Sequence, residues 1–588
     1  MRRYAFPAFA ALMLVLPLLP VPDFWITQSN YIGLYSIVAL GLVLLTGVSG
    51  LTSFGQAAFV GIGAYTAAFL ATKMGVSPWL TLFVGVALAI VAALIVGAVT
   101  LRMSGHYLPL ATIAWGLALY YMMGNMEWLG KYDGLLGIPT LHFFGWDLGT
   151  GRGLHVLIWA LALLAALAIT NLLDSRAGRA IRALKSGSTM AEAMGISTFR
   201  YKITAFVIAA ALAAISGWLF AHFQRTVNPT PFSLTKGIEY LFMAVLGGVG
   251  YVWGAFLGSA VVRVVDDQLQ VLLPKLIGTS GNFEVIVFGI VLVVVLKYAP
   301  DGLWTFIQRR LPAAPRPRDW EGAAALPARD KPARGELLLD VDAVRKEFGG
   351  LVAVNDVSFQ IRAGDIVGLI GPNGAGKSTT FNCISRYYQP SAGRIHVDGV
   401  DVTRRKPEQM AALGVARTFQ NLELFGELSV RENVLLGCHA HSADTVGKLL
   451  RRAGRETQEL VDHLIERVGL VHERETPARQ LPFGHQKLLE IARALALKPR
   501  LLLLDEPAAG LRNRDIESLD RLLTELASKE GITVLLVEHV MQLVMSISDR
   551  ITVMSFGEKI AEGAPREVAA DPRVIEAYLG KGAAHAPH

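Results

Sequence analysis

Residues 366–380 read IVGLIGPNGAGKSTT, a short apolar run followed by glycines, a lysine and hydroxyls. Gly371, Gly374 and Gly376 let the backbone curl until its N–H groups converge, and converging N–H groups bind phosphate oxygens. Lys377 reaches the β- and γ-phosphates of a nucleotide and Ser378 offers its hydroxyl to Mg2+, while Asn373, Ala375 and Thr379 complete the loop. Residues 501–506 read LLLLDE, an apolar strand ending in two carboxylates. Asp505 is expected to hold Mg2+ through water, and Glu506 to polarise an attacking water. A phosphate-cradling loop with an acidic strand end is the shared minimum of a P-loop nucleoside triphosphatase. Phe348 lies 23 residues before Gly371 and is suited to stacking on adenine. Gln420, near the end of RTFQN, is expected to sense the γ-phosphate and touch the metal. His539 closes LLVEH, at the end of another apolar strand.

These residues need a sheet with strands ending at one edge, and the second half of the chain supplies apolar strands alternating with helical stretches. The first half is different. Apolar runs lie near 4–22, 31–49, 53–72, 79–101, 107–127, 153–173, 203–223, 238–273 and 283–299. A helix crosses a bilayer with about 20 apolar residues, so most of these runs are membrane spans. Across all 588 residues 53% are hydrophobic and only 18% charged, which excludes a disordered chain. Cys383 and Cys438 are the only cysteines, which excludes a disulfide scaffold. Residues 1–335 carry 24 Lys+Arg against 14 Asp+Glu, and residues 336–588 carry 31 against 34. The basic excess therefore sits at the ends of apolar runs, where it sets topology. No basic patch marks the soluble half, so a nucleic-acid partner is not expected.

Arg2 and Arg3 put the N-terminus in the cytoplasm, and the first run reads as an uncleaved helix. The basic loop 174–202 is cytoplasmic as well, with six runs between. An even number of crossings must then separate 202 from the soluble half. That makes 238–273, interrupted by Gly247, Gly248 and Gly250, a hairpin: re-entrant or two short spans. The expected domains are a permease over 1–308, a Pro/Ala/Arg-rich linker over 309–335, an ATP-binding domain over 336–580 and a tail over 581–588.

Residues 337–580 resemble an ATP-binding-cassette (ABC) ATPase. GPNGAGKST matches its Walker A motif, Gln420 its Q-loop, residues 481–487 its signature, LLLLDEP its Walker B motif and His539 its switch histidine. FNCISRYYQPSAGRI, GVARTFQNLELF, DEPAAGL and AEGAPREVAADPRVIEAYLG narrow the resemblance to the ATPases of branched-chain amino acid transporters. Residues 31–303 resemble the permease of the same systems, through GVSGLTSFGQAAFVGIGAYTAA, LRMSGHYLPLAT, SRAGRAIRALKSGSTMAEAMGI, LGGVG and YAPDGLW. Ala191-Glu192-Ala193-Met194-Gly195 looks like the coupling loop of importers. The fold this implies is a polytopic α-helical membrane domain followed by an α/β P-loop NTPase domain.

The resemblance implies ATP and Mg2+ as cofactors and hydrolysis coupled to uptake at a bacterial inner membrane. It also implies a second permease, a second ATPase and a periplasmic or lipid-anchored solute-binding protein as partners, with membrane lipid around the helices. Pro482 and Gly484, in the signature, are expected to face a nucleotide bound by the second cassette. Two departures stand out. Pro482 occupies the place of the usual signature serine and offers neither hydroxyl nor N–H. Arg512 follows Gly510-Leu511 where an aspartate is usual. The rival readings are an exporter half-transporter and a membrane-anchored mechanochemical ATPase. The solute is open: relatives of this kind carry leucine, isoleucine and valine, but also urea, amides and aromatic acids.

Overall fold

A computed structural model describes residues 2–103, 107–143, 146–277, 302–310, 330–441 and 454–579, with short stretches between 287 and 299. The chain divides into two compact units, one of residues 1–185 and 199–317, the other of 186–198 and 318–588. Most of the apolar run 283–299, the linker residues 311–329 and the tail lie outside the described residues.

The first unit is helical. Its helices are α1 (Arg2–Val15), α2 (Asp23–Leu42), α3 (Gln56–Lys73), α4 (Pro78–Thr100), α5 (Tyr107–Asn125), α6 (Gly151–Asp174) and α7 (Arg176–Ser186). After α8 (Ser188–Ala193), which belongs to the other unit, come α9 (Thr198–Gln224), α10 (Leu234–Gly248), α11 (Val252–Ile277) and α12 (Leu303–Arg309). Among the described residues four helices are long and apolar enough to cross a membrane: α2 with its continuation to Val48, α4, α6 and α9. The chain is a membrane protein. α3 falls just short because its 18 residues include Gln56 and Lys73.

α2 is buried along most of its length, whereas α4 leaves most of its apolar residues at least partly exposed. Where helices cross, small residues let backbones approach, the usual device when lipid removes the hydrophobic drive. A Cβ on Gly217 of α9 would collide with the Val60 carbonyl of α3, so this crossing requires glycine. The 238–273 run is two helices, α10 and α11, bent by 119° at a break of three residues. Gly248 (φ +142°) and Gly250 (φ +88°) bracket that break in backbone geometry that side chains disfavour. A single tilted rod is thereby excluded.

The second unit carries two sheets. β1 (Leu337–Phe348), β2 (Leu351–Arg362), β4 (Ala392–Val397) and β5 (Val400–Asp401) form an antiparallel sheet in the order β2-β1-β4-β5. The other sheet runs β6 (Val415–Arg417), β7 (Leu501–Asp505), β8 (Thr533–Val537), β3 (Ile366–Ile370), β9 (Arg550–Ser555), β10 (Glu558–Gly563). Its strands are parallel except for the β9–β10 hairpin. β3, β7 and β8 are buried at every residue, which is why each reads as an unbroken apolar run. Asp505 pairs with Val537, and Val537 pairs with Leu369, so these neighbouring strands end together. Ligands of open parallel sheets bind at that edge.

Candidate nucleotide site

The phosphate loop leaves β3 and enters the helix Lys377–Ile384. Gly376 sits at φ +94°, and a Cβ there would lie 2.5 Å from the Ala353 carbonyl oxygen, so only glycine fits. Asn373, Gly374, Ala375, Gly376, Lys377, Ser378 and Thr379 line a cleft of about 410 Å³. Lys377 is almost fully buried, and its Nζ donates to the carbonyls of Gly371 (2.8 Å) and Pro372 (2.9 Å). Burial pushes its pKa down, opposed by the carboxylates of Glu506 and Asp505.

Glu506, Gln420 and His539 come from three separate segments and meet in the same cleft. Gln420 Nε2 donates to Glu506 Oε1 at 3.0 Å, and His539 Nε2 lies 3.3 Å from the same oxygen. Glu506 has φ +49°, a left-handed conformation that a non-glycine residue holds at a cost of about 1–3 kcal/mol. Its N–H donates to the Val537 carbonyl at 2.8 Å, which ties it to β8. The strain keeps its carboxylate turned from the buried sheet towards Gln420 and His539.

Asp505 is buried and Arg417 Nη2 lies 3.8 Å from its Oδ2, while its Oδ1 has no hydrogen-bond partner. Burial raises its pKa, opposed by Arg417. Asp505 is not among the residues that line the cleft, whereas Ser378 and Gln420 are; its orphaned carboxylate oxygen and their oxygen donors are of the kind that suits a hard cation. Among the described residues no group of three or more His, Cys, Asp and Glu could hold a metal.

Phe348 differs from expectation. It does not line the cleft; its ring packs edge-on against Tyr388, with centroids 5.1 Å apart, and Lys346 Nζ lies over it. The lining at this hairpin is Leu351, Val352 and Ala353, joined from the β9–β10 turn by Phe556, which is 94% exposed. The hairpin pairs Phe348 with Leu351, and the register brings the residues after the turn to the cleft. Gly371 braces Lys377 without lining the cleft. Pro482 and Gly484 lie apart from it: Pro482 is exposed at the N-cap of the helix Phe483–Leu495, and a Cβ on Gly484 would meet the Leu511 side chain. Arg512 caps the helix Asn513–Ser528 with no side-chain hydrogen bond, the contact an aspartate there would make.

Two residues escape the sequence reading. Glu538 is buried and accepts from the N–H groups of Ala508 (2.7 Å), His539 (2.8 Å) and Val540 (3.0 Å), so it fixes the histidine loop to the turn after Glu506. Its signal was its place beside His539 in LLVEH. Arg417, three residues before Gln420, is buried beneath Phe381 and Phe419, and burial pushes its pKa down to about 10. It also lines the groove that receives α8 through Thr189, Glu192 and Ala193.

Three family models match the chain. A branched-chain amino acid transport system permease component covers residues 25–296, an ABC transporter covers 354–509, and a branched-chain amino acid ATP-binding cassette transporter covers 558–584. A high-affinity branched-chain amino acid transport ATP-binding protein of Pseudomonas aeruginosa is 43% identical over 250 residues, 42% of this chain and 98% of that protein. One of Escherichia coli is 42% identical over 250 residues, with the same coverage. A probable one of Archaeoglobus fulgidus is 35% identical over 246 residues, 41% of this chain and 95% of that protein. The cassette binds ATP, and its hydrolysis is coupled to transport. The chain therefore belongs to the branched-chain amino acid ABC transporter family, as a permease and its ATPase fused in one polypeptide.

Proposed function

We propose that this chain is half of an importer that uses ATP to bring branched-chain amino acids, or a related small solute, across a bacterial inner membrane, with its cassette in the cytoplasm. The observation that carries the reading is the meeting of Gln420 and His539 on one oxygen of Glu506, in the cleft of the phosphate loop. The relatives' designation as branched-chain amino acid transport proteins supports the solute class.

In this reading the loop N–H groups from Asn373 to Thr379 and the Lys377 ammonium hold the phosphates. Ser378, Gln420 and Asp505 would hold Mg2+, which supplies charge neutralisation at the β- and γ-oxygens. Glu506 takes the proton of the attacking water, and Gln420 and His539 orient its carboxylate. Phe556 offers its exposed ring to the base. The face bearing Pro482 and Gly484 would complete the site of a second cassette. One chain has one phosphate loop and one permease half, so the reading requires a second ATPase, a second permease and a solute-binding protein. α8 is the segment that passes cassette closure to the helices: Met190 is buried beside Arg493, and Glu192 accepts from Thr198 Oγ1 at 2.7 Å. The domain limits that go with this reading are 1–308, 309–335, 336–580 and 581–588.

The test is ATP-dependent movement of labelled L-leucine in proteoliposomes holding the assembled transporter and its binding protein. The reading expects accumulation on the cassette side. Movement in the opposite sense, or ATP turnover without solute movement, overturns it.

A further inference from the structure

The first unit contains a cleft of about 460 Å³ that the nucleotide chemistry does not use. It lies between the middle of α2, the C-terminal end of α9 with the loop that follows, the first turns of α10 and the middle of α11. Its volume falls in the range of small-molecule sites, roughly 300–1,000 Å³. Three charged side chains face it: Lys236, Glu239 and Arg263. Lys236 Nζ pairs with Glu239 Oε2 at 2.6 Å, and these side chains are 22% and 20% exposed. Arg263 donates to Gln28 Oε1 at 2.7 Å and to Asp266 Oδ2 at 3.3 Å. Tyr31, Tyr35 and Phe220 form aromatic wall. The Arg263 guanidinium lies 4.6 Å from the centre of the Tyr31 ring, and Lys236 Nζ lies 5.2 Å from that of Tyr35.

Charges among apolar membrane helices are costly, and where they occur they face a cavity and mark the path of a polar solute. A half-buried ion pair contributes little to stability by itself, because desolvation offsets its attraction. This pair adds something a purely structural pair does not need: it opens on a cleft of ligand size, with a second cation and three aromatic rings around it. The arrangement is bipolar. Lys236 and Glu239 form one ion pair at the cleft, and Arg263, itself paired with Asp266, adds a second cation beside an apolar and aromatic surface. That surface is the complement of a molecule bearing one carboxylate, one ammonium and a hydrocarbon side chain.

We infer that this cleft is a solute site of the permease itself, taking a zwitterionic α-amino acid with an apolar side chain. Lys236 and Arg263 receive its carboxylate, Glu239 receives its ammonium, and Tyr31, Tyr35 and Phe220 cover its hydrocarbon. The inference rests on the importer reading and narrows its solute class. α9 has 27 residues, roughly 40 Å of helix; in that reading Thr198 is its cytoplasmic end and the cleft lies at its outer end, where a binding protein delivers solute.

The test measures solute binding to the full chain in lipid nanodiscs without binding protein, by saturation-transfer NMR at millimolar concentration. The probes are L-leucine, leucinol (no carboxylate) and 4-methylpentanoate (no ammonium). Wild type binds L-leucine best. Lys236→Met weakens L-leucine about tenfold or more and leaves leucinol unchanged; Glu239→Gln weakens L-leucine and leucinol and leaves 4-methylpentanoate unchanged. The double exchange Lys236→Glu with Glu239→Lys keeps an ion pair but loses L-leucine. The inference is overturned if wild type does not bind L-leucine, if the single variants weaken all three probes alike, or if the double exchange binds as wild type does. Leucine uptake by the assembled transporter, measured in parallel, separates the two readings: uptake without binding in the cleft sinks only this inference, and absence of uptake sinks the importer reading.

Discussion

In the proposed reading Glu506 is the base of the site, and three constraints act on it together. Its backbone is strained, its N–H is tied to β8, and one carboxylate oxygen meets both Gln420 and His539. Glu506→Gln keeps the shape but removes the base. The expected outcome is ATP binding within a few-fold of wild type and turnover reduced by about 10²–10⁴. Binding of a fluorescent ATP analogue alongside steady-state turnover reads both; unchanged turnover would move the base elsewhere. The aromatic residues make a second contrast. Phe556 stands exposed at the cleft, whereas Phe348 packs on Tyr388. An aromatic contact is worth about 0.5–1.5 kcal/mol, so Phe556→Ala is expected to weaken ATP by roughly three- to tenfold. Phe348→Ala is expected to weaken it less; the reverse order in the same titration would restore Phe348 as the adenine platform.

At the scale of elements, β6 joins two functions. Its last residue, Arg417, faces Asp505 at 3.8 Å and lines the groove that holds α8. It is packed between Phe381 and Phe419, with ring centres 5.2 and 4.7 Å away. Arg417→Met would leave the Asp505 carboxylate buried without its cation. Removing one partner of a buried pair costs about 3–5 kcal/mol, and the loose 3.8 Å geometry places this case at the low end. In the proposed reading the Mg2+ of Mg·ATP would bring a replacement positive charge to the same carboxylate. Thermal melting of the cassette transition in wild type and variant should therefore show a large gap without Mg·ATP and a smaller one with it. An equal gap in both conditions would show that Arg417 serves packing alone.

In the proposed reading the whole transporter has two nucleotide sites, and this chain would make them unequal: its own phosphate loop would face a partner's signature, and the partner's nucleotide would face Pro482 and Gly484. Pro482 is exposed at the start of its helix and lacks the serine hydroxyl. A hydrogen bond to a charged group is worth about 1.5–3 kcal/mol, roughly ten- to hundredfold. Pro482→Ser is accordingly expected to raise turnover at the partner's site. Disabling the partner's catalytic glutamate should harm uptake less than Glu506→Gln does, with both variants compared in one reconstituted complex. If the partner's glutamate proves the more damaging loss, the Gly484 backbone and its helix N-terminus suffice for the phosphate.

Much of this protein is legible in one dimension, because the relevant geometry is local. A phosphate loop is a strand, a glycine turn and a helix start within fifteen residues, so 366–380 announces it. A membrane helix is a length of apolar chain, so α2, α4, α6 and α9 are visible as runs. The glycines at 247, 248 and 250 likewise announce the break between α10 and α11. What only the tertiary structure decides depends on distant segments packing together. Hairpin register brings Leu351 and Phe556 to the cleft while Phe348 turns to Tyr388. Residues 186–198, flanked on both sides by the helical unit, group with the cassette because Met190 is buried beside Arg493 and α8 lies in the groove beside Arg417. The cleft around Lys236, Glu239 and Arg263 draws on residues from Tyr31 to Arg263, and no spacing in the chain relates them. Local hydrogen-bond geometry writes motifs into sequence; long-range packing brings together side chains that no motif connects.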